Sequence, residues 1–528
     1  MPNDCISYQD SGYFTPIITD YLNQKPTLQP LYNRFPSIEN FKEQIQEKRL
    51  NFKGDRNALV SVLEKQYAKI DVSDLTRRNI NALRSDETFT VTTGHQLNLF
   101  TGPLYFLYKI VSAINLSKEL KSAYPQHDFV PVYWMATEDH DFEEINYFNF
   151  KGKKFRWHRE SGGPVGRLST EGLAEVLKVF TADLGLGHNA NELNRLFSES
   201  YLKHDNLTDA TRWLANELFK NEGLVILDAD DRELKAQFAP YIKLELLQNV
   251  SYKAVSETIQ QMKPYPIQVN PREINLFYME DGLRERIIFE GGKFVVNNTS
   301  IRFSEDEILG LLEKNPEKFS PNVIMRPLYE EVILPNLCYI GGGGELAYWL
   351  ELKSFFNKAD VTFPILLLRN SVLLATQKQA AKADKLDLEW RELFLKSDEL
   401  ANVRIKKLSE FELDFSEQKN FLRMQFEKLH SIAEATDKSF TGAVKAQEAK
   451  QIKGLENLEK RLLKAEKRTH ADALKRIADL QYELFPNGSL QERFTNFSEF
   501  WLEHGETLIQ TLLNRLQPLE NEFTVVVL

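Results

Sequence analysis

Hydrophobic and polar positions along the chain repeat one unit: a short apolar or β-branched run, a polar cluster, then a stretch with helical spacing. Phe89 to Thr93 is such a run and predicts a strand. It meets Gly94-His95-Gln96, then Thr101-Gly102-Pro103, and then an apolar-periodic segment from Leu104 to about Leu120. That segment predicts a helix with Pro103 at its first position, where a missing N–H costs nothing. Phe129 to Trp134 predicts a buried strand ending at Ala136-Thr137-Glu138-Asp139-His140-Asp141, and Gly223 to Leu227 predicts another ending at Asp228 to Asp231. Strand, helix, strand is a right-handed βαβ unit. It places the polar clusters at the carboxyl ends of parallel strands, where ligands bind in open α/β sheets.

The same pattern returns late in the chain. Cys338 to Ile340 runs into Gly341-Gly342-Gly343-Gly344-Glu345, and Thr362 to Leu368 runs into Arg369-Asn370-Ser371. The predicted core is therefore α/β and discontinuous, over residues 81–147, 222–264 and 317–375, resuming at Ser320 with a helix from Tyr329 to Leu334. Residues 1–80 read as helices broken by Pro and Gly (Pro16 to Asp20, Pro36 to Leu50, Asn57 to Ile70), packed on that core. Residues 148–221 read as a first insertion, with β-like runs and then two or three amphipathic helices. Residues 265–316 read as a β-rich second insertion with strands at 268–270, 276–279, 286–289 and 294–296, a meander that would lean over the site. Arg284 and Arg286 read there as solvated strand charges.

From about Thr376 to Leu484 the chain has almost no Gly or Pro. Leu422, Phe426, Leu429, Ala433, Thr436 and Phe440 keep a 4-3 spacing, as do Leu455, Leu458, Leu462 and Ala465. Residues 376–485 thus predict an antiparallel helical hairpin with coiled-coil character, bent near Asp437-Lys438 or Thr441-Gly442. Its apolar stripe needs a partner, so a homodimer is expected. Residues 486–528 predict a helix from Phe497 to about Leu516 and a strand from Thr524 to Leu528 that adds to the sheet edge, and this segment would bring Gln491 or Arg493 back toward the core.

Composition narrows the function. The 528 residues carry a net charge of −10, which argues against a broad nucleic-acid or anionic-membrane surface. Two distant cysteines, Cys5 and Cys338, argue against a disulfide framework, and with no apolar run of membrane-spanning length the expected location is the cytoplasm.

Candidate chemistry gathers at the predicted strand ends. Thr93, Gly94, His95, Gln96, Thr101 and Gly102 form a strand–turn–helix corner of the kind that offers N–H groups to an anion. Gly341, Gly342, Gly343 and Gly344 allow close backbone approach to an anion or ribose, with Glu345 and Tyr348 following. Arg326 suits a carboxylate or phosphate, or equally a structural ion pair with a nearby Glu. Glu138, Asp139, His140 and Asp141 are candidates for binding an amine or taking its proton. Asp230 or Asp231 serves either there or as the cap of a helix near Arg232. No Walker A motif and no GxGxxG is present, and no ligand set has zinc spacing beyond His95 and His140 with two carboxylates, so zinc is not expected.

The segments TTGHQLNLFTGPLYFLYK and PVYWMATEDHDFEEIN, the Gly-Gly-x-Gly-Glu loop and the Pro-x-Gly-x-Leu-Gln-Glu-Arg stretch together resemble the BshC family, the cysteine-adding enzymes of bacillithiol biosynthesis. The resemblance implies a Rossmann-like core of the class I synthetase type, with connective-peptide insertions and a coiled coil that dimerises. It implies addition of L-cysteine to the amine of glucosaminyl malate. Relatives of the fold activate the acid as an adenylate with ATP and Mg2+, and on that pattern the turns at Gly94–Gln96, Gly102 and the glycine loop hold the nucleotide. The competing expectations are another nucleotidyl- or acyl-transferring enzyme on the same fold, or a non-catalytic coiled-coil assembly protein.

Overall fold

The computed structural model describes residues 4–436 and 438–528. Five parallel strands form the central sheet: β1 Thr88–His95, β2 Asp128–Met135, β3 Val225–Asp228, β4 Asn336–Gly341 and β5 Ile365–Leu368. Their spatial order is β5-β4-β1-β2-β3. Every residue of β1, β4 and β5 is buried. A parallel sheet covered on both faces has no polar side, which is why these strands read as unbroken runs. The threonines of β1 are stitched into the sheet. Thr90 and Thr92 donate to Asn336 Oδ1 at 3.2 and 2.9 Å, and Thr93 donates to the Ile340 carbonyl at 2.8 Å.

The strand order creates the functional geometry. The chain winds outward through β1, β2 and β3, then returns to the opposite side of β1 to lay down β4 and β5. The crossovers therefore diverge between β1 and β4, and a crevice opens at their carboxyl ends. Helix α1 (Tyr105–Ala123) connects β1 to β2. Its Ala113, Leu116 and Leu120 pack on Phe89, Val91, Leu337 and Ile340, against Phe41 and Ile45 of the helix Ile38–Asn51. Ser37 caps that N-terminal helix by accepting the Asn40 N–H.

The corner before α1 differs from the sequence expectation. Phe100, Thr101 and Gly102 all have positive φ (47°, 67° and 62°), and the helix begins at Tyr105, two residues beyond Pro103. Asn496, from the C-terminal segment, holds this left-handed run by donating to the Phe100 and Gly102 carbonyls at 2.8 and 2.6 Å. The Leu104 N–H donates to the Thr495 carbonyl at 2.9 Å. That backbone donor is thus taken by protein.

Residues between β2 and β3 form a short helix, Phe142–Ile145, an antiparallel pair, Tyr147–Phe150 with Lys153–Arg156, and three longer helices, Leu173–Leu184, His188–Tyr201 and Leu207–Leu218. Between β3 and β4, helix α2 (Arg232–Gln248) precedes an antiparallel meander of Leu276–Glu280, Leu283–Glu290, Lys293–Val296 and Arg302–Phe303. Residues 268–270 are a loop, not a strand. Phe319–Pro321 pairs with Leu276–Glu280, so this sheet ends later than its sequence pattern suggested. Helix α3 (Met325–Ile333) begins four residues before the expected Tyr329, because Asn322 Oδ1 accepts the Ile324 and Met325 N–H groups. After β4 the chain turns into the short helix α4 (Gly343–Trp349). Near the C-terminus two helices, Ser498–His504 and Thr507–Arg515, replace the single one expected, with Gly505 at φ 55° between them. The final strand, Glu522–Val527, lies in a separate three-stranded sheet with Asp4–Ser7 and Val372–Ala375 rather than on the edge of the central sheet.

Residues 375–489 form most of a second compact unit. Ser416–Glu434 and Lys438–Thr469 are its long helices. Lys419 pairs with Glu459 at 2.5 Å and His430 with Glu448 at 2.8 Å. Eleven residues forward on one helix thus match eleven back on the other, which makes the pair antiparallel. Phe426, Ala433 and Val444 form its apolar seam, with Leu422 against it. Thr441 and Gly442, one proposed site of the bend, lie inside the second helix. The other falls at the break between the helices, although Asp437 itself lies outside the described residues. The apolar spacing continues through Thr436 to Phe440 across that break, where side chains change helix.

The Asn496 bracket makes a prediction. Asn496→Ala leaves two buried carbonyls unpaired, so it should cost about 2–3 kcal/mol and lower the urea midpoint of the Rossmann-like unit. An unchanged midpoint would show that the corner holds without it.

Candidate active site

A cavity of about 1000 Å3 fills the crevice, and all five strand ends reach it. Gly94, His95 and Gln96 come from the end of β1, Trp134 to His140 from β2, Ala229 from β3, Gly342 and Gly344 from β4, and Arg369 from β5. The loop 268–270 and Phe277, Arg284 and Arg286 of the meander form an opposite wall.

A buried cation holds the crevice together. Lys109, on α1 and 4% exposed, donates to the Gly94 carbonyl at 2.6 Å and pairs with Glu345 Oε2 at 2.5 Å. Glu345 in turn accepts the Tyr339 hydroxyl at 2.8 Å and the Gly342 N–H at 2.8 Å. Burial and the Glu345 contact act on Lys109 in opposite directions, and burial prevails, lowering its pKa. On Glu345 burial is outweighed by Lys109, the Gly342 N–H and the Tyr339 hydroxyl, and its pKa falls. The glycine loop is thus fixed by its own glutamate, and one of its N–H donors is spent on that carboxylate. Sequence reasoning passed over Lys109. Its signal was a lysine set among Phe106, Leu107, Tyr108, Ile110 and Val111 in the apolar first half of the helix, since such a lysine has to find a partner.

A second buried network closes the end of β2. Glu138 Oε1 lies 2.7 Å from Lys235 Nζ on α2, and Glu138 Oε2 accepts the Ser320 hydroxyl at 2.5 Å. Burial raises the Glu138 carboxyl above its ordinary range despite the pull of Lys235, with Asp230 adding to the rise. Asp228 is pushed up to about 6, first by burial and then by Asp230, although Thr137 donates to it at 2.5 Å. Asp230 is bound by Arg167 at 2.8 and 3.1 Å, and Asp231 caps α2 by accepting the Glu233 and Leu234 N–H groups.

Asp139 accepts Gln96 Nε2 at 2.8 Å and the His140 N–H at 2.7 Å, and the same Gln96 amide reaches Glu144 at 2.9 Å. His140 Nδ1 accepts from Arg284 Nη1 at 2.7 Å, and Arg284 also donates to Ser320 Oγ and the Pro321 carbonyl. Its guanidinium lies 4.0 Å over the Phe277 ring. Arg284 is therefore a wedge between the meander and the end of β2, not a solvated strand charge. Arg326 pairs with Glu330 at 3.0 Å and donates to the Tyr348 hydroxyl at 2.8 Å while still lining the cavity, so both readings of it meet in one side chain.

His95 stands in the wall. Its Nδ1–H donates to the Gln96 carbonyl at 2.6 Å, and its ring lies between Tyr105 and Phe106 at 5.2 and 5.1 Å. Burial, with Lys109 nearby, lowers its pKa to about 3, so the imidazole is neutral across the physiological range.

Six expected site residues fall elsewhere. Thr93 spends its hydroxyl on the β1–β4 pairing. Thr101 and Gly102 belong to the corner that Asn496 holds, and neither lines the cavity. Gly341 is the last residue of β4, where a Cβ would come within 2.8 Å of Leu346, and Gly343 faces Phe14 and Ile18. Asp141 is exposed at the start of the helix Phe142–Ile145 and does not line the cavity. These residues shape the crevice from behind or stand outside it.

The lining is cationic in an acidic chain. Seven Lys and Arg side chains face four Asp and Glu side chains, against a net charge of −10 overall. Among the described residues, Arg272, Arg286 and Arg493 have no ion-pair or side-chain hydrogen-bond partner. Unpaired guanidiniums in a concave site are suited to carboxylate or phosphate.

The His140–Arg284 contact sets a pH dependence. Burial and Arg284 lower the His140 pKa against Asp139, Asp141 and Glu285. The unfolded chain therefore takes up this proton first, and stability falls as pH drops below the ordinary histidine value of about 6.5. The urea midpoint of the wild type should fall between pH 7.5 and 5.5 by more than that of His140→Gln. Equal falls would show that the contact does not depend on the neutral ring.

The family models for the N-terminal Rossmann-like domain and the C-terminal coiled-coil domain of bacillithiol biosynthesis BshC match residues 1–370 and 372–528. A protein of Flavobacterium johnsoniae named "Putative cysteine ligase BshC" is 66% identical over 527 residues, covering 100% of both chains. Proteins of the same name from Flavobacterium psychrophilum and Cytophaga hutchinsonii are 63% and 39% identical, covering 100% and 97% of this chain and 99% and 96% of their own. The parallel sheet, the helical hairpin and these matches agree: the chain belongs to the BshC family of bacillithiol biosynthesis, and with it to the ligases.

Proposed function

We propose that the chain joins the carboxyl group of L-cysteine to the amine of glucosaminyl malate, the last step of bacillithiol biosynthesis, using ATP with Mg2+. The observation that carries this reading is the cation-lined cavity on which all five strand ends converge in an acidic protein. Both substrates are carboxylates, and amide formation needs them held side by side with a proton acceptor.

A free carboxylate does not acylate an amine at neutral pH, and ATP when bound supplies the leaving group it lacks. The residues fit a polyanion through side chains rather than through backbone turns. The Leu104 N–H is taken by Thr495 and the Gly342 N–H by Glu345, whereas Arg272 and Arg286 keep free guanidiniums. These two arginines would hold the phosphates, with Gly344 leaving room for close approach. Asp139 and Glu144, oriented by Gln96, would hold the cysteine ammonium. Glu138 acts as the base. As the amine nitrogen bonds to the cysteine carbonyl carbon and the bond to the leaving group breaks, the N–H proton passes to the Glu138 carboxylate. Lys235 and Ser320 hold that carboxylate in place. Burial raises the pKa of this carboxyl and so makes it a stronger base than an exposed glutamate. Asp141 has no part in it.

The hairpin leaves Phe421, Met424, Ile432 and Leu458 more than half exposed. We place a second copy of the chain on this apolar stripe in the cytoplasm. Sedimentation velocity should give the dimer mass, and the monomer mass would contradict it.

Mass spectrometry of purified protein with L-cysteine, glucosaminyl malate, ATP and Mg2+ tests the reaction. Cysteinyl product is expected only with ATP, with AMP released. Glu138→Gln should lower turnover at least 100-fold, in line with general-base contributions, and Asp141→Ala should leave it within about twofold. Product without ATP would overturn the activation step. Full loss in Asp141→Ala with retention in Glu138→Gln would overturn the choice of base.

A further inference from the structure

The tripeptide Gln491-Glu492-Arg493 is built in an unusual way. Gln491, 5% exposed, pairs with a strand through its side chain. Its Oε1 accepts the Leu374 N–H at 3.0 Å and its Nε2 donates to the Leu374 carbonyl at 3.0 Å. Glu492, 1% exposed, is gripped by Arg369 through two bonds of 3.0 and 2.7 Å and by the Val372 N–H at 3.1 Å. Two consecutive buried polar residues thus fix the backbone of a third. That third residue, Arg493, is exposed, lines the cavity and has no ion-pair or hydrogen-bond partner for its side chain among the described residues.

Tyr105, at the start of α1, lines the same cavity. The Tyr105 hydroxyl makes no hydrogen bond among the described residues, and the Arg369 guanidinium lies 5.3 Å from its ring. Burial raises the phenol pKa, with Glu345 adding to the rise and Arg369 and Arg493 opposing it, so both guanidiniums act on the same ring. Arg369 is committed to Glu492 and supplies field rather than hydrogen bonds. Arg493 and Tyr105 supply the free donors.

We infer that Arg493 and the Tyr105 hydroxyl form an oxyanion subsite, delivered to the cavity by the C-terminal segment, for a carboxylate or phosphate group of a substrate. It rests on the ligase reading only for which substrate brings the anion: the malate carboxylates of glucosaminyl malate or the phosphates of the nucleotide. Arg493 is a binding residue, whereas Gln491 and Glu492 are positioning residues that act through it. The free guanidinium has a reason in this arrangement. A surface arginine needs no clamp, and this one has two buried side chains holding its backbone.

Isothermal titration of the full chain with L-malate and, separately, with inorganic pyrophosphate tests the subsite. Arg493→Gln should weaken one of the two by about tenfold or more, the size expected for losing a charge-assisted pair. Arg493→Lys should recover part of that loss, and Tyr105→Phe should weaken the same probe by a few-fold. Loss confined to malate assigns the subsite to the glycoside, and loss confined to pyrophosphate assigns it to the nucleotide. Wild-type affinity for both probes in Arg493→Gln would overturn the inference, as would no binding of either by the wild type. If the substrate mixture gives no cysteinyl product while Arg493→Gln still loses an anion, the subsite stands and the proposed reaction falls.

Discussion

Lys109 spans the gap on which the rest of the site depends. One ammonium group touches the carbonyl at the end of β1 and the carboxylate after β4, the two strands between which the crossovers diverge. A crevice at such a switch point opens by topology, and beyond the last β1–β4 pairing, at Thr93 and Ile340, the sheet no longer sets its width. The Lys109–Glu345 pair fixes it, and Glu345 passes the constraint to the glycine loop and Tyr339. Buried pairs of this kind gain little net stability, because desolvation offsets most of the attraction. Their contribution here is geometric. Removing one partner would leave the other charge buried and release the loop.

From that strut the charge pattern follows. Cations that face the cavity divide into those committed to protein, such as Lys109, Arg326, Arg369 and Arg284, and those left free, such as Arg272, Arg286 and Arg493. The committed ones set a positive field and hold the walls, and the free ones remain for ligand oxygens. Glu138 sits within this field yet is buried enough to keep a raised pKa, a combination suited to moving a proton beside anionic substrates.

Much of the core was legible because its signals are local. Each buried strand ended in a polar cluster, and the parallel sheet put those ends together, so Glu138, Gln96, Glu345 and Arg326 reached one cavity. The errors came from long-range contacts. Thr101 and Gly102 looked like an anion corner, but Asn496, nearly four hundred residues away, had claimed the turn. Arg284 looked solvated until the meander carried it to His140. Asp141 shared a run with Glu138 and Asp139, and a short helix beginning at Phe142 turned it outward. Lys109 was hidden by its apolar neighbours, and only burial gave it meaning.

A crystal structure with glucosaminyl malate and L-cysteine bound tests the central claim most directly, which is that chemistry occurs in the crevice between β1 and β4. Both substrates should lie there, with carboxylate oxygens about 3 Å from lining guanidiniums and the acceptor amine within reach of Glu138. Substrates bound at another surface, with the crevice empty and its arginines unengaged, would contradict it.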